Sequence, residues 1–267
     1  MMNIAVSGQV LCEKYPLGEA LAFIKQQGCS GIEIWPTCIE QGVQSYGNFS
    51  AEQLYAAKEK LDKFGIEAVC VSCACAFDED LGNDSSAYAK ELCAAVEAAR
   101  ILGAGLVNHY CYYLSLHNLE EENLVNAMTP GLKLAEEYGI TLVLENEAHD
   151  MTRTPEGTKR ILRLFDGPNF KTNYDATNYY HARQEGFPKA YDVLKDDIAY
   201  IHLKNGKMEE DIVYTSIVDG AVNIDGVVKR SIADQYSGFY TLEPHCPQEQ
   251  IEQWLIRDIQ YVKEIKV

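Results

Sequence analysis

The chain has 267 residues, of which 47% are hydrophobic and 24% charged, and its 40 acidic and 23 basic side chains leave a formal charge of −17. Such a charge repels nucleic acid and anionic membranes at long range, and no apolar run approaches the roughly 20 residues that span a bilayer. The opening Met1-Met2-Asn3-Ile4-Ala5-Val6 has neither the basic nor the long apolar region of a secretory signal, and nine cysteines without a repeating frame point to reduced thiols in the cytoplasm. Cys70, Cys73 and Cys75 cluster, but no second pair completes a zinc knuckle, so they read as buried thiols in and beside a strand.

Short apolar or β-branched runs alternate with helical patterns along the chain. Strand Ile4–Ser7 comes first. Helix Leu17–Gln27 follows, with Leu17, Ala20, Leu21 and Ile24 on one stripe and Gly28 as its stop. After strand Gly31–Trp35, helix Ser50–Phe64 begins with a capping serine and carries Leu54, Ala57, Leu61 and Phe64 on one face. Next come strand Glu67–Cys73, helix Ala87–Leu102, strand Leu106–His109, helix Leu119–Tyr138, strand Thr141–Glu145 and helix Thr154–Phe165. The series ends with strand Phe170–Asp175, the short helix Pro188–Lys195, strand Ile198–Leu203, strand Gly238–Glu243 and helix Gln248–Lys266. Gly65-Ile66 and Gly139-Ile140 each close a helix and open a strand. Eight strands alternating with helices, and no linker, predict an α/β chain in which residues 1–267 form a single (β/α)₈ barrel domain. A doubly wound open sheet is the rival, but the first turn, Ser7-Gly8-Gln9-Val10, lacks the G-x-G-x-x-G of that class.

Barrels of this kind build their sites at the C-terminal ends of the strands. Strand five ends in Glu145-Asn146, strand six in Asp175, strand seven reads Ile201-His202-Leu203-Lys204, and strand eight ends in Glu243-Pro244. The intervals of 30 and 27 residues from Glu145 to Asp175 to His202 each match one strand–helix unit, and the 41 to Glu243 match one unit with a long loop. Three carboxylates at one rim repel each other strongly, and a divalent cation relieves that repulsion. Glu145, Asp175, His202 and Glu243 are therefore the expected metal ligands. Three oxygens and one imidazole suit Mn²⁺, Mg²⁺, Co²⁺ or Zn²⁺ alike.

The segments Gly31-Ile32-Glu33-Ile34-Trp35, Leu142-Val143-Leu144-Glu145-Asn146, Tyr200-Ile201-His202-Leu203-Lys204, Tyr240-Thr241-Leu242-Glu243-Pro244 and Asp219–Asp225, in this order, make the whole chain resemble the sugar isomerase/epimerase family with the xylose isomerase-like TIM barrel. The resemblance implies one metal on those four ligands, and Glu145 and Glu243 as the acid and base of an isomerase or epimerase. In that chemistry the metal polarises a sugar carbonyl, one glutamate takes the adjacent proton to give an enediolate, and the other returns a proton from the opposite face. The chain departs from the family at Asn178, where many relatives have histidine, at Asn205, where they have aspartate, and at Gly206-Lys207-Met208, where some epimerases have arginine. These departures leave room for a dehydratase of a hydroxy ketone on the same site, and for a non-catalytic sugar-binding barrel. A multi-zinc endonuclease of the same superfamily fits less well, since Cys73 and Asn178 stand where its histidines would be.

Further expected substrate contacts are Lys204 and His245, each two residues beyond a ligand and so on the same side, together with Asn178, His109, Glu33 and Trp35. Each has a plainer alternative: Lys204 as an ion-pair partner of Glu145 or Asp175, Glu33 as the partner of a cation inside the rim, His109 as a core histidine, Trp35 as a wall. The expected partner is a small carbohydrate, phosphorylated or not, with no nucleic acid or membrane, in a chain whose helix faces suit homo-oligomerisation.

Overall fold

In the computed structural model, residues 2–73, 85–110, 121–165 and 167–266 are described. Cys75 and the first two residues of the expected helix Leu119–Tyr138 lie outside them. Eight parallel strands close into a barrel in the order β1-β10-β7-β6-β5-β4-β3-β2. They are β1 (Asn3–Ser7), β2 (Gly31–Ile34), β3 (Glu67–Ser72), β4 (Leu106–His109), β5 (Thr141–Glu145), β6 (Phe170–Asp175), β7 (Ile198–Leu203) and β10 (Phe239–Leu242). A two-stranded antiparallel hairpin, β8 (Asn205–Met208) and β9 (Ile212–Thr215), is inserted directly after β7.

The helices form where their sequence signals lie. Ser50 Oγ accepts the Gln53 amide at 3.3 Å while Gln53 Oε1 accepts the Ser50 amide at 3.0 Å, a reciprocal cap that starts helix Ala51–Phe64. Gly65 and Gly139 take φ of +64° and +69°, the left-handed turn that ends their helices. The short helix expected over Pro188–Lys195 is instead a π-type turn at Gly186–Ala190 leading into Tyr191–Leu194. Three helices lie outside those expected from the sequence: Gly8–Lys14 directly after β1, Ala176–His181 directly after β6, and Ile224–Ala233 before β10. No helix among the described residues is long and apolar enough to cross a membrane. Cys12, Cys29, Cys38 and Cys70 are buried free thiols, and Cys73 is buried beside the end of β3.

The inward-facing residues stack in layers, because side chains alternate along each strand and neighbouring strands are staggered. Ala5, Val69, Cys70, Val143 and Tyr200, from β1, β3, β5 and β7, pack across the interior as a small apolar cluster. Two residues further along the same strands stand Ser7, Ser72, Glu145 and His202. From the alternate strands come Glu33, Asn108, Asn173 and Thr241. Hydrogen bonds stitch these polar layers together: Ser72 Oγ donates to Glu33, Asn108 Nδ2 to Glu145 at 2.7 Å, and Thr241 Oγ1 to the Tyr200 hydroxyl at 2.6 Å. The barrel thus holds an apolar plug below and a fully buried polar stack above, ending at the C-terminal rim.

Close packing under that rim explains one glycine. A Cβ on Gly8 would stand 2.3 Å from Cys38 Sγ and 2.8 Å from the Glu33 carbonyl oxygen. Gly8→Ala is expected to cost about 1–3 kcal/mol through overpacking, read as a lowered urea midpoint; an unchanged midpoint would contradict the packing described.

Candidate active site

Asp175 and His202 are paired neighbours in the β6–β7 register, and Thr241 of β10 pairs with His202 from the other side. Glu145 ends β5. Glu243 lies one residue beyond β10, held in the ladder by its amide donating to the Leu203 carbonyl at 3.0 Å. Glu145, Asp175, His202 and Glu243 are all buried, and each offers one ligand atom within 4.8 Å of the others. The four strand-end residues expected from their spacing therefore meet at one point.

Each of the four side chains is held by a different device. Asp175 Oδ1 caps helix Ala176–His181, accepting the amides of Thr177 at 2.7 Å and Asn178 at 2.9 Å. Its backbone is clasped by the Asn146 amide group, with one hydrogen bond each way at 2.9 Å. Asp175 Oδ2 accepts no hydrogen bond among the described residues and lies 3.1 Å from the Lys204 ammonium, which pairs with it by charge. Glu145 accepts three asparagine amides: Asn108 Nδ2 at 2.7 Å and Asn173 Nδ2 at 3.2 Å on Oε2, and Asn178 Nδ2 at 3.4 Å on Oε1. Glu243 instead faces positive charge, 2.7 Å from Lys204 Nζ. His202 Nε2 is 2.6 Å from Glu33 Oε2, while Nδ1 is 3.2 Å from Glu145 and 3.5 Å from Glu243. With the proton on Nε2 given to Glu33, Nδ1 keeps its lone pair towards the carboxylates, the tautomer a metal needs.

The electrostatics follow from burying like charges together. Burial alone would lower the basicity of His202, but Glu145, Glu33 and Glu243 around it hold its pKa well above the usual value. Lys204 is likewise kept well above its ordinary value, against the effect of burial, by Asp175, Glu243 and Glu145. Burial would raise the Glu243 carboxyl, yet Lys204 and His202 hold it well below the carboxylate range. Asp175 is raised, chiefly by burial. An oxygen-rich donor set, a buried carboxylate oxygen without a hydrogen bond, and an excess of negative charge together fit a divalent cation.

The other expected contacts divide. Lys204 sits inside the cluster, as its position two residues past His202 requires. His245 Nε2 is 3.4 Å from Glu243 Oε2 and its ring stacks on Tyr214, centroids 4.5 Å apart. Asn178 bridges Glu145, the Asn146 carbonyl at 2.8 Å and Glu147 at 3.4 Å. Trp35 is buried at the rim, its indole N–H donating to Ser7 Oγ at 3.0 Å and its ring 6.5 Å from that of Tyr110. Glu33 is 0% exposed, with both oxygens engaged by Ser72, Tyr200 and His202, so it supports the histidine from below instead of facing a ligand. His109 is a correction. It points out of the barrel, stacked on Phe170 at 5.7 Å and 3.3 Å from the Tyr88 hydroxyl, and burial pushes its pKa down to about 3. The inward residues of that strand are its neighbours in sequence, Asn108 and Tyr110; a slip of one residue exchanges the faces.

Strand-end reading misses Asn108 and Asn173, which alternation places inward one step below the ligands, and Glu147, two residues beyond Glu145. It also misses Tyr214, brought to the site by the hairpin. Its only signal is the β-branched run Ile212-Val213-Tyr214-Thr215, and burial raises its hydroxyl to about 12.

Comparison with known proteins agrees with this architecture. The family described as the xylose isomerase-like TIM barrel matches residues 21–265. No curated protein matches the chain. Among solved structures, the probable 3-DHS dehydratase AsbF of Bacillus anthracis superposes with a TM-score of 0.77 at 16% identity, covering 99% of this chain and 100% of that one. A xylose isomerase-like TIM barrel protein of Mycobacterium smegmatis in complex with magnesium gives 0.77 at 14% identity, covering 99% and 96%. The 3-keto-D-glucoside 4-epimerase YcjR of E. coli gives 0.74 at 14% identity, covering 98% and 99%. At these identities the likeness is one of fold.

Lys204 is the internal cation of this cluster, which makes a direct prediction. Lys204→Met leaves buried carboxylates without their ammonium and is expected to destabilise the metal-free protein by about 3–5 kcal/mol. Added Mn²⁺ should recover much of that loss in a thermal melt; a variant as stable as the wild type without metal would contradict the charge balance described.

Proposed function

The chain belongs to the xylose isomerase-like TIM-barrel family, and from that premise we propose that it is a divalent-metal-dependent isomerase or epimerase of a ketose or polyol ketone. The observation that carries this reading is the convergence of Glu145, Asp175, His202 and Glu243 within 4.8 Å, with the two glutamates reaching the same imidazole nitrogen from β5 and from the end of β10. A bound metal would supply polarisation of the substrate carbonyl. The rest of the work belongs to the chain. One glutamate takes the proton from the carbon beside the carbonyl and the other delivers a proton to the opposite face. Asn108, Asn173 and Asn178 fix Glu145, and Lys204 keeps Glu243 ionised between turnovers. Glu33 holds His202 in one tautomer, and Trp35, Tyr214 and His245 form walls around the reacting carbons.

A second reading, dehydration of a β-hydroxy ketone, is favoured by Lys204. An ammonium 2.7 Å from Glu243 is placed to stabilise a departing hydroxide after the same proton abstraction. Product analysis separates the two, since dehydration alone yields an unsaturated ketone and water.

The test is deuterium exchange into ketoses and polyol ketones incubated with the Mn²⁺-loaded protein in deuterated water. Glu145→Gln is expected to lower exchange by about 10²–10⁴-fold while the protein stays folded. Near-normal exchange in that variant would overturn the mechanism.

A further inference from the structure

We propose that Cys12 and Cys38 are a modification site: a small hydroperoxide oxidises them to a reversible disulfide that joins the segments following β1 and β2. Neither residue belongs to the carboxylate cluster at the strand ends.

Two short helices bring the thiols together. Gly8–Lys14 follows β1, Pro36–Ile39 follows β2, and the two strands are paired neighbours. Residues four apart share one face of a helix, and in Gly8–Lys14 one such face carries Gly8 and Cys12. The sulfur of Cys38 packs against that face, since a Cβ on Gly8 would stand 2.3 Å from Cys38 Sγ. Gln41, just beyond the second helix, ties the segments at the other end. Its Nε2 donates to the Cys12 carbonyl at 3.0 Å and to the Glu13 carbonyl at 3.2 Å. The two thiols lie between these contacts.

The sulfurs also touch each other. The Cys12 thiol is hydrogen-bonded to Cys38, and this bond, followed by burial, holds its pKa well above the ordinary thiol value. The Trp35 amide donates to Cys38 Sγ at 3.3 Å. Cys12 therefore keeps its proton, and Cys38 is the sulfur that reacts first. Cys12 is 0% and Cys38 2% exposed, which shuts out bulky oxidants. A small peroxide gains access when the one-turn helix Pro36–Ile39 opens locally.

Other described cysteines are placed differently. Cys70 packs inside the barrel with Ala5, Val143 and Tyr200, and Cys29 precedes β2, at the opposite end of that strand from Cys38. Cys73 is the rival partner, because it and Cys38 both act on the Tyr46 hydroxyl, whose pKa is raised first by burial and then by these sulfurs.

The oxidation balances with one hydrogen peroxide. The Cys38 sulfur attacks one peroxide oxygen, the O–O bond breaks, and the other oxygen leaves as water, giving a sulfenic acid. The Cys12 sulfur then attacks the sulfenic sulfur; the S–S bond forms, the S–O bond breaks, and a second water leaves. Two thiols lose two electrons and two protons, and the peroxide is reduced to two waters. The new bond joins the segments that carry Ser7 and Trp35, already hydrogen-bonded side chain to side chain at 3.0 Å, and so fixes the Trp35 wall of the candidate site.

The experiment treats the folded full chain with hydrogen peroxide and digests it with a glutamate-specific protease. Cuts at Glu13, Glu33 and Glu40 place Cys12 and Cys38 in separate peptides and part Cys38 from Cys29. Mass spectrometry should show peptides 1–13 and 34–40 joined, lighter by two hydrogens than their sum, and released by dithiothreitol. The linked protein should melt at a higher temperature than the reduced one. Cys12→Ala should give no link and leave a Cys38 sulfenic acid that dimedone traps. Cys12 and Cys38 remaining as thiols, a wild-type Cys38 that stops at sulfinic acid, a link from either residue to another cysteine, or a linked protein that melts lower would each overturn the proposal.

Discussion

The structure depends on one constraint: several carboxylates are buried together at the top of the barrel. Removing a single carboxylate from water costs on the order of several kcal/mol after relaxation, and like charges a few ångströms apart add to it. Each carboxylate here has its own compensation. Asp175 is bound by helix amides on one oxygen, Glu145 by three asparagine amides, Glu33 by two hydroxyls and an imidazole, and Glu243 by an ammonium. What remains after these contacts is an excess of negative charge focused on one point. A buried charge left so is costly unless a cation joins it, which ties the stability of the upper barrel to the chemistry of the site.

The barrel scaffold makes that concentration possible. Parallel strands bring residues distant in sequence to one height, so that His202 lies beside both Asp175 and Thr241 in register. Polar layers at alternating heights provide the amides and hydroxyls that hold the clustered carboxylates and His202, and the apolar layer of Ala5, Cys70, Val143 and Tyr200 seals the barrel beneath them. The hairpin after β7 then adds what a plain barrel lacks, a Tyr214–His245 stack beside Glu243. Asn205 fixes the hairpin at its root by engaging the loop that returns to helix Ile224–Ala233.

Much of this was legible in the chain. The eight strands and the meeting of Glu145, Asp175, His202 and Glu243 follow from apolar runs, their unit spacing and the residue that ends each run. Trp35 and Glu243, expected as the last residues of their strands, each stand one residue beyond them. The reading failed where position along a strand did not specify the face. His109 ends β4, but Asn108 carries the inward side chain, and nothing in the four-residue run Leu106–His109 distinguishes the two, because every residue of it from Val107 onward is buried on one side or the other. Short helices such as Ala176–His181 escaped because one turn and a half has no period to read; its start is set by Asp175, a residue that also belongs to the site. Tyr214 was hidden for a different reason, since its place depends on a hairpin pairing that no single segment encodes.

The central claim is that the buried cluster binds one divalent cation through Glu145, Asp175, His202 and Glu243. Calorimetric titration of Mn²⁺ into chelator-treated protein, beside the Glu243→Ala variant, tests it most directly. The account predicts one equivalent bound by the wild type and loss of that binding in the folded variant. A folded wild-type protein that takes up none of Mn²⁺, Co²⁺ or Zn²⁺ would contradict it.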